Sequence, residues 1–120
     1  MAMSDSRDIE NINYILSYCK LIEDCIDRFG NSYEIFESDK IYRAAVSLFE
    51  LQIGEHSIRL SNELKEKYNE IHWADIRNMR NLLAHHYYKH EPQILWDTAI
   101  VDVPELRKFC EARLSDIPNP

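Results

Sequence analysis

Residues 75–88 read DIRNMRNLLAHHYY, and this stretch decides how the rest of the chain is interpreted. It contains neither glycine nor proline. Ile76, Met79 and Leu83 recur at spacings of three and four residues, which is typical of the apolar stripe of an amphipathic helix. The sequence therefore predicts a helix across this stretch, anchored at its entry by Trp73.

The polar face of this helix carries an uncommon set of side chains. Arg77, Asn81 and His85 recur every four residues, and Arg80 lies one step round the helix from Asn81. The long Arg80 side chain can reach towards His85, so a guanidinium and an imidazole could flank one small anionic group. The spacing alone favours a simpler alternative, a solvated polar face whose histidine happens to end a helix.

Length and composition predict a single all-α domain. The chain has 120 residues with two glycines and four prolines, and the prolines all lie in its last third. Most of the chain therefore lacks the turn residues that strand hairpins need. We expect one domain over residues 1–120, with a core from 8 to 114 and a tail from 115 to 120. A core of this size would gain from pairing with a second copy.

Charge is distributed unevenly along the chain. The formal net charge is −7, which argues against a non-specific nucleic-acid binder. Within residues 71–90, however, Arg77, Arg80 and Lys89 stand against Asp75 alone, and four of the five histidines lie in the same window. A basic island on an acidic body suits a small anionic site better than a long nucleic-acid track.

Apolar periodicity predicts a long first helix. It runs from Ile9 to Phe29, is capped by Ser6 or Asp8, and ends at Gly30. Residues 32–37 are interpreted as a short connection. The side chains of that connection expected to pack against the core are Tyr33, Ile35 and Phe36.

A second helix is predicted to begin at Ser38 or Asp39. It is apolar around most of its circumference, which is typical of a central helix or of a helix at an oligomer interface. Its expected stripe is Ile41, Ala44, Ala45, Leu48, Leu51 and Ile58, broadened by Val46, Phe49 and Ile53. Gly54 lies inside this helix, and a close helix crossing would explain why it is tolerated. Glu55 is expected to pair with Arg59, four residues later.

Three shorter segments complete the predicted bundle. Ser61 or Asn62 caps a charged helix over residues 63–68. Residues 93–100 read as one or two further helical turns after Pro92, and Pro104 marks the start of the last helix. The apolar positions of that helix are Leu106, Phe109, Cys110 and Leu114.

The cysteines and the N-terminus indicate the cellular compartment in which the protein is expected. Cys19, Cys25 and Cys110 form no closely spaced pair and are odd in number, which is typical of a reduced cytoplasmic protein. The polar N-terminus lacks the features of a signal peptide, and no apolar run approaches the roughly 20 residues of a membrane span. We therefore expect a cytoplasmic protein that does not cross a membrane.

An imidazole beside a guanidinium is a minimal set of groups for metal-independent cleavage of a phosphodiester. His85 could take the proton from an attacking hydroxyl, which in RNA is the neighbouring 2′-OH. Arg80 could stabilise the charge that develops on the phosphate, and Asn81 could hold the histidine or a phosphate oxygen. One histidine is sparse for the work of both a general base and a general acid. Two copies of the chain that meet at a two-fold axis would supply a second histidine and a second arginine.

Other chemistry fits the residues less well. His85, His86 and His90 invite a metal site, but adjacent histidines on a helix point about 100° apart, so that no metal is expected. Cys19 and Cys110 lie on apolar stripes and are interpreted as core rather than as nucleophiles. Tyr87 and Tyr88 are, on their residue type alone, packing residues at a helix end.

The segment from Arg80 to Tyr87 reads R-x-x-x-x-H-x-Y and resembles the signature of the HepT-like toxins, within the HEPN superfamily of helical ribonucleases. The resemblance extends over roughly residues 9–114. Its further marks are Ile53-Gly54-Glu55, Trp73, Met79-Arg80-Asn81, Trp96 and Val103-Pro104-Glu105-Leu106.

This resemblance implies an antiparallel helical bundle that forms a homodimer, with the active-site cleft at the interface. It implies a metal-independent endoribonuclease without a cofactor, in which Arg80 and His85 are the catalytic pair and Asn81 supports them. The implied partner is an MNT-type nucleotidyltransferase antitoxin that transfers AMP to Tyr87, as in a type VII-like toxin–antitoxin system. Tyr88 is the other tyrosine that could be modified.

Two alternatives to a ribonuclease toxin remain open. The chain could be a non-catalytic HEPN module that binds and regulates a nucleotidyltransferase, or a helical module with a structural role. RNA cleavage separates the first hypothesis from both alternatives. A neighbouring nucleotidyltransferase gene would favour either of the first two hypotheses over the third.

Overall fold

The structure is a computed structural model that describes residues 5–85 and 92–117. These residues form a bundle of seven α-helices and one turn of π-helix, and the prediction of an all-α fold is confirmed. The elements are α1 (Ser6–Phe29), α2 (Tyr33–Ser38), α3 (Lys40–Ile58), α4 (Asn62–Lys67), α5 (Trp73–Ala84), α6 (Pro92–Asp97), the π-helical turn (Thr98–Asp102) and α7 (Val103–Ser115).

The core lies between the long helices. Helix α1 packs against α3 and α7, and α3 packs in turn against α5. Fully or almost fully buried side chains from these elements include Ile12, Ile15, Cys19, Ile22, Tyr42, Val46, Ile53, Leu83, Phe109 and Cys110. Cys19 and Cys110 are therefore core residues, as the sequence predicts. Within the described ranges, no helix is both long and apolar enough to cross a membrane.

The expected caps of α1 are wrong. Asp5 caps the helix by accepting hydrogen bonds from the backbone N–H groups of Arg7 and Asp8. The Asp8 carboxylate instead accepts from the Ser61 backbone N–H at 2.8 Å and from the Ser61 hydroxyl at 2.6 Å. Asp8 thereby ties the start of α1 to the cap of α4, a long-range contact that local spacing cannot reveal. Gly30 ends α1 with a φ of +124°, as expected.

The connection expected over residues 32–37 is a helix. Ser32 accepts a hydrogen bond from the Ile35 backbone N–H and so caps α2, which buries Phe36 completely. Tyr33 is half-buried, whereas the expected packing of Ile35 into the core is wrong, because Ile35 is exposed. Its side chain lies over Gly30 instead.

Helix α3 begins after Asp39, as predicted, but its buried face differs from the expected stripe. Val46 and Ile53 are buried, whereas Ile41 and Leu48 are 71% and 52% exposed. The apolar circumference of the helix therefore covers both a core face and an outer face. The outer face is available as the oligomer seam that the sequence allows.

The end of the chain differs in two respects from the sequence interpretation. Helix α5 ends at Ala84, so His85 lies just beyond it, and the positions of His86, Tyr87, Tyr88 and His90 fall outside the described residues. The segment after Pro92 is helical as predicted, but it passes into α7 through the π-helical turn, which the periodicity does not indicate.

Candidate functional site

The site is built where α3 crosses α5. At this crossing a Cβ atom added to Gly54 would lie 2.5 Å from the Cβ of Arg80 and 3.4 Å from its Cα. No larger residue fits there unless the helices separate, so Gly54 brings the start of the Arg80 side chain directly onto α3. The close helix crossing expected from this glycine is confirmed.

Glu55 holds the guanidinium of Arg80. The Arg80 Nε atom donates to Glu55 Oε1 at 2.6 Å, and both side chains are about one-third exposed, at 35% and 30%. The expectation that Glu55 pairs with Arg59 is therefore wrong. The Gly54 crossing places a guanidinium from another helix next to Glu55, and this contact replaces the weak pairing along one helix.

Asn81 supplies a second contact to the same guanidinium. Arg80 Nη1 donates to Asn81 Oδ1 at 2.9 Å. A guanidinium carries five N–H groups, and these two hydrogen bonds are the ones it makes within the described part of the chain. The Glu55 and Asn81 oxygens thus fix the orientation of Arg80 and leave N–H groups on its outer edge for an anion.

His85 lies at the same end of α5. Its backbone N–H closes the helix on the carbonyl groups of Leu82 and Leu83, and its φ and ψ of −97° and 11° depart from the helical path. The residue is exposed and follows Arg80 by five positions, about 7.5 Å along an ideal helix axis. The structure therefore brings Arg80, Asn81 and Glu55 into contact and places His85 beyond them at the helix end.

His56 follows Glu55 in the sequence but serves the core. Its Nδ1 atom is hydrogen-bonded to Asn11 Oδ1 at 2.8 Å, and its ring stacks on Tyr14 at 4.5 Å between centroids. Burial lowers the pKa of His56, which favours the neutral ring. The neutral, enclosed His56 is a packing residue that joins α1 to α3.

The site borders the exposed outer face of α3. Ile41, Leu48 and Glu55 recur at spacings of seven residues, so they share one side of this helix. Ile41 and Leu48 are exposed, and Glu55 continues their row to Arg80. An apolar surface thus runs directly up to the guanidinium.

Histidine, cysteine and acidic side chains of the described ranges are the groups that could serve metal or thiol chemistry. Residues 5–85 and 92–117 contain no group of three or more histidine, cysteine or acidic side chains placed to hold a metal ion. Burial raises the pKa of the Cys19 and Cys110 thiols, that of Cys110 to about 12, which suppresses the reactive thiolate.

Comparisons with known proteins identify the family of the chain. The family model described as "Ribonuclease HepT-like" matches residues 15–113. A relative from Caldanaerobacter subterraneus subsp. tengcongensis, named as an RNase, is 34% identical over 98 residues, which cover 81% of this chain and 85% of the relative.

Two further relatives agree with this match. One from Methanocaldococcus jannaschii, named as an RNase, is 33% identical over 113 residues, covering 92% of this chain and 91% of the relative. One from Thermococcus cleftensis, named as a ribonuclease HepT, is 35% identical over 82 residues, covering 68% and 74%. No solved structure gives a significant match. The chain belongs to the HepT-like ribonuclease family.

Proposed function

We propose that this protein is the toxin of a toxin–antitoxin pair and that it cleaves RNA without a metal ion, using Arg80 and His85 as the catalytic pair. The observation that carries the proposal is the anchored guanidinium. Arg80 is held by Glu55 and Asn81 at a glycine crossing, and an exposed histidine follows at the end of the same helix. A phosphate-binding arginine gains from such preorganisation, because its N–H groups are already oriented when the charge on the phosphate develops.

The chemistry follows from these groups. The neutral imidazole of His85 takes the proton from a ribose 2′-OH as its oxygen attacks the adjacent phosphorus. The bond from phosphorus to the 5′-oxygen of the next nucleotide breaks, which leaves a 2′,3′-cyclic phosphate, and the departing oxygen takes up a proton. The outer N–H groups of Arg80 neutralise the charge that grows on the non-bridging oxygens.

Glu55 and Asn81 act on this reaction through Arg80. The Glu55 carboxylate accepts the Nε–H of the guanidinium, which leaves the two Nη groups for other partners. Asn81 restrains one of these Nη groups and so restricts rotation about the end of the side chain. Both are positioning residues in this proposal.

A homodimer would supply the second set of groups that acid and base work needs. The exposed row of Ile41 and Leu48 leads to Glu55 and would be covered if the outer faces of two α3 helices met across a two-fold axis. Such an arrangement would bring two Arg80 side chains to one cleft. One His85 could then act as the base while that of the partner subunit protonates the leaving oxygen.

The proposed partner is an MNT-type nucleotidyltransferase that transfers AMP to Tyr87. Tyr87 follows His85 by two positions in the sequence. An AMP group attached there would place an anion near Arg80 and a bulky base over the RNA site, so it would block cleavage both electrostatically and sterically.

The cleavage proposal is tested on a fluorogenic RNA in the presence of EDTA. We expect wild-type protein to cut and His85→Ala to lose at least about a hundredfold in rate, because the general base is removed. The matched control is His86→Ala, which deletes the neighbouring histidine at the variable position of the motif and should keep its activity. Equal loss in both variants, or cleavage that EDTA abolishes, would contradict the proposal.

The control of the toxin is tested by intact mass after co-expression with the adjacent nucleotidyltransferase. We expect mass increments of AMP in wild type and in Tyr88→Phe, and none in Tyr87→Phe. An unmodified protein that still binds the transferase would point to steric neutralisation. A stable complex combined with no RNA cleavage by the free protein would support the non-catalytic module instead.

A further inference from the structure

A second candidate site lies on another side of α3. An open cavity of about 410 Å³ is lined by α3, by residues 70–79 before and within α5, by the π-helical turn and by the start of α7. Glu50 of α3 lines it, whereas Arg80, Asn81, Glu55 and His85 do not. Glu50 and Glu55 point about 140° apart on an ideal helix, so the cavity and the ribonuclease site use different faces of α3.

Glu50 is the unusual residue of this cavity. It is 4% exposed, and neither of its carboxylate oxygens has a hydrogen-bond partner among the described residues. Burial, and secondly the nearby Asp102, raise the pKa of Glu50 well above its ordinary value. Buried glutamates are almost always paired, so an unpartnered one at the wall of a cavity indicates that its partner comes from outside.

The rest of the cavity carries negative charge. Four more acidic side chains line it, together with one histidine, and the described lining includes no lysine or arginine. These acids are Glu70, Asp75, Asp102 and Glu105, and the histidine is His72. They lie on three separate elements, so their potentials converge on the opening and favour a positively charged ligand.

The inner wall is apolar. Ile53, Met79 and Leu106 line the same cavity, which therefore offers a surface for methylene groups beside the buried carboxylate. No set of three ligands for a metal ion is formed by the described residues, so the donor set does not suit a divalent cation. The π-helical turn at the cavity wall is a feature frequently found at functional sites.

We propose that this cavity binds an alkylammonium group, with Glu50 as its buried counter-ion and the methylene chain along Ile53, Met79 and Leu106. The ligand is either a free aliphatic amine or the side chain of a lysine from a partner protein. The proposal is independent of the ribonuclease activity.

Binding of the ammonium group is coupled to a proton. Without a ligand, Glu50 holds its proton because an isolated charge is unfavourable there; the bound cation favours the carboxylate, so a proton leaves as the amine enters. Affinity should therefore rise as pH increases above the ordinary glutamate value. The titratable groups that line the cavity with Glu50 are Asp102 and Glu105 from the turn and α7, and Glu70, His72 and Asp75 from the α5 side.

The ligand test uses methyl-labelled methionine and NMR. Met79 lines the cavity, and the other two methionines, Met1 and Met3, are internal controls at the N-terminus. Titration with 1,4-diaminobutane or with Nα-acetyl-lysine methylamide should shift the Met79 methyl signal, whereas neutral 1-butanol should bind at least about tenfold more weakly. Tighter binding of the diamine identifies a free amine as the ligand, and tighter binding of the lysine derivative identifies a protein side chain.

Glu50→Gln keeps the shape of the side chain and removes its charge. We expect amine affinity to fall by at least about tenfold and its pH dependence to disappear. Glu63→Gln, on the exposed surface of α4, should bind as wild type does, and His72→Gln should keep the pH dependence. The proposal is overturned if no amine shifts Met79 in wild type, if 1-butanol binds equally well, or if Glu50→Gln binds as wild type does.

Discussion

Two glutamates on α3 lie five residues apart and show how differently one helix can use the same side chain. Glu55 is 30% exposed and holds the Arg80 guanidinium at 2.6 Å, whereas Glu50 is 4% exposed and has no hydrogen-bond partner within the described residues. In our proposals the Glu55–Arg80 pair positions a guanidinium for chemistry on an anion, and the unpaired Glu50 lines a cavity that binds a cation. Position around the helix, rather than residue type, decides which role each takes.

The contrast is sharpest in the effect of removing each carboxylate. In Glu55→Ala the guanidinium loses its anchor, so we expect RNA cleavage to fall by about ten- to a hundredfold, mainly in kcat. Glu55→Gln still offers an oxygen to Arg80 Nε and should recover part of this loss. Glu50→Gln should cleave RNA at the wild-type rate, and kinetics on one RNA substrate would check all three variants.

A structural role for Glu55 alone would give a different result. In that case Glu55→Ala would lower the melting temperature without changing kcat of the folded protein, and Glu55→Gln would not rescue the rate.

Substitution of Gly54 tests how closely α3 and α5 pack at their crossing. In Gly54→Ala the new Cβ must displace the Arg80 side chain and α5, so we expect the free energy of unfolding to fall by about 1–3 kcal/mol. Chemical denaturation measures this loss. Gln52→Ala, two positions earlier on the same helix and half-buried, should change stability by less than about 0.5 kcal/mol. A Gly54→Ala protein as stable as wild type would contradict the close crossing.

Replacing Glu50 should change stability in the opposite direction. The pKa of Glu50 is raised in the folded protein, so the folded protein keeps a proton that the unfolded chain releases. The folded state therefore loses stability relative to the unfolded chain as pH rises above the ordinary glutamate value. Glu50→Gln lacks this penalty, so it should be more stable than wild type at pH 8, with a smaller advantage at pH 5.

Denaturation at both pH values checks this difference. The lowered pKa of His56 contributes equally to both proteins, so it cancels when they are compared. A Glu50→Gln protein that is less stable than wild type at pH 8 would show that the carboxylate has a partner in the folded chain.

The sequence predicts most of the bundle because local residue patterns indicate its helices. Apolar spacing locates α1 and α5, Asp39 and Ser61 cap their helices as expected, and Gly54 indicates a crossing. Arg80 and Asn81 also come together as neighbours on one helix.

The remaining features depend on contacts between elements that are distant in the chain. The Glu55–Arg80 bond spans 25 positions and the Asp8–Ser61 bond spans 53, so neither follows from helical periodicity. Glu50 lines a cavity whose other walls come from α5, the π-helical turn and α7, an arrangement that no local pattern specifies. The position of Tyr87 lies outside the described residues, and its role stays a prediction.

RNA cleavage by Arg80→Ala, measured beside Arg77→Ala in the presence of EDTA, tests the ribonuclease site most directly. Both arginines lie on α5, but only Arg80 is bonded to Glu55 and Asn81. We predict that Arg80→Ala loses at least about a hundred- to a thousandfold in rate while Arg77→Ala stays near wild type, both with wild-type helix content. Undiminished cleavage by Arg80→Ala would contradict the assignment of Arg80 as a catalytic residue.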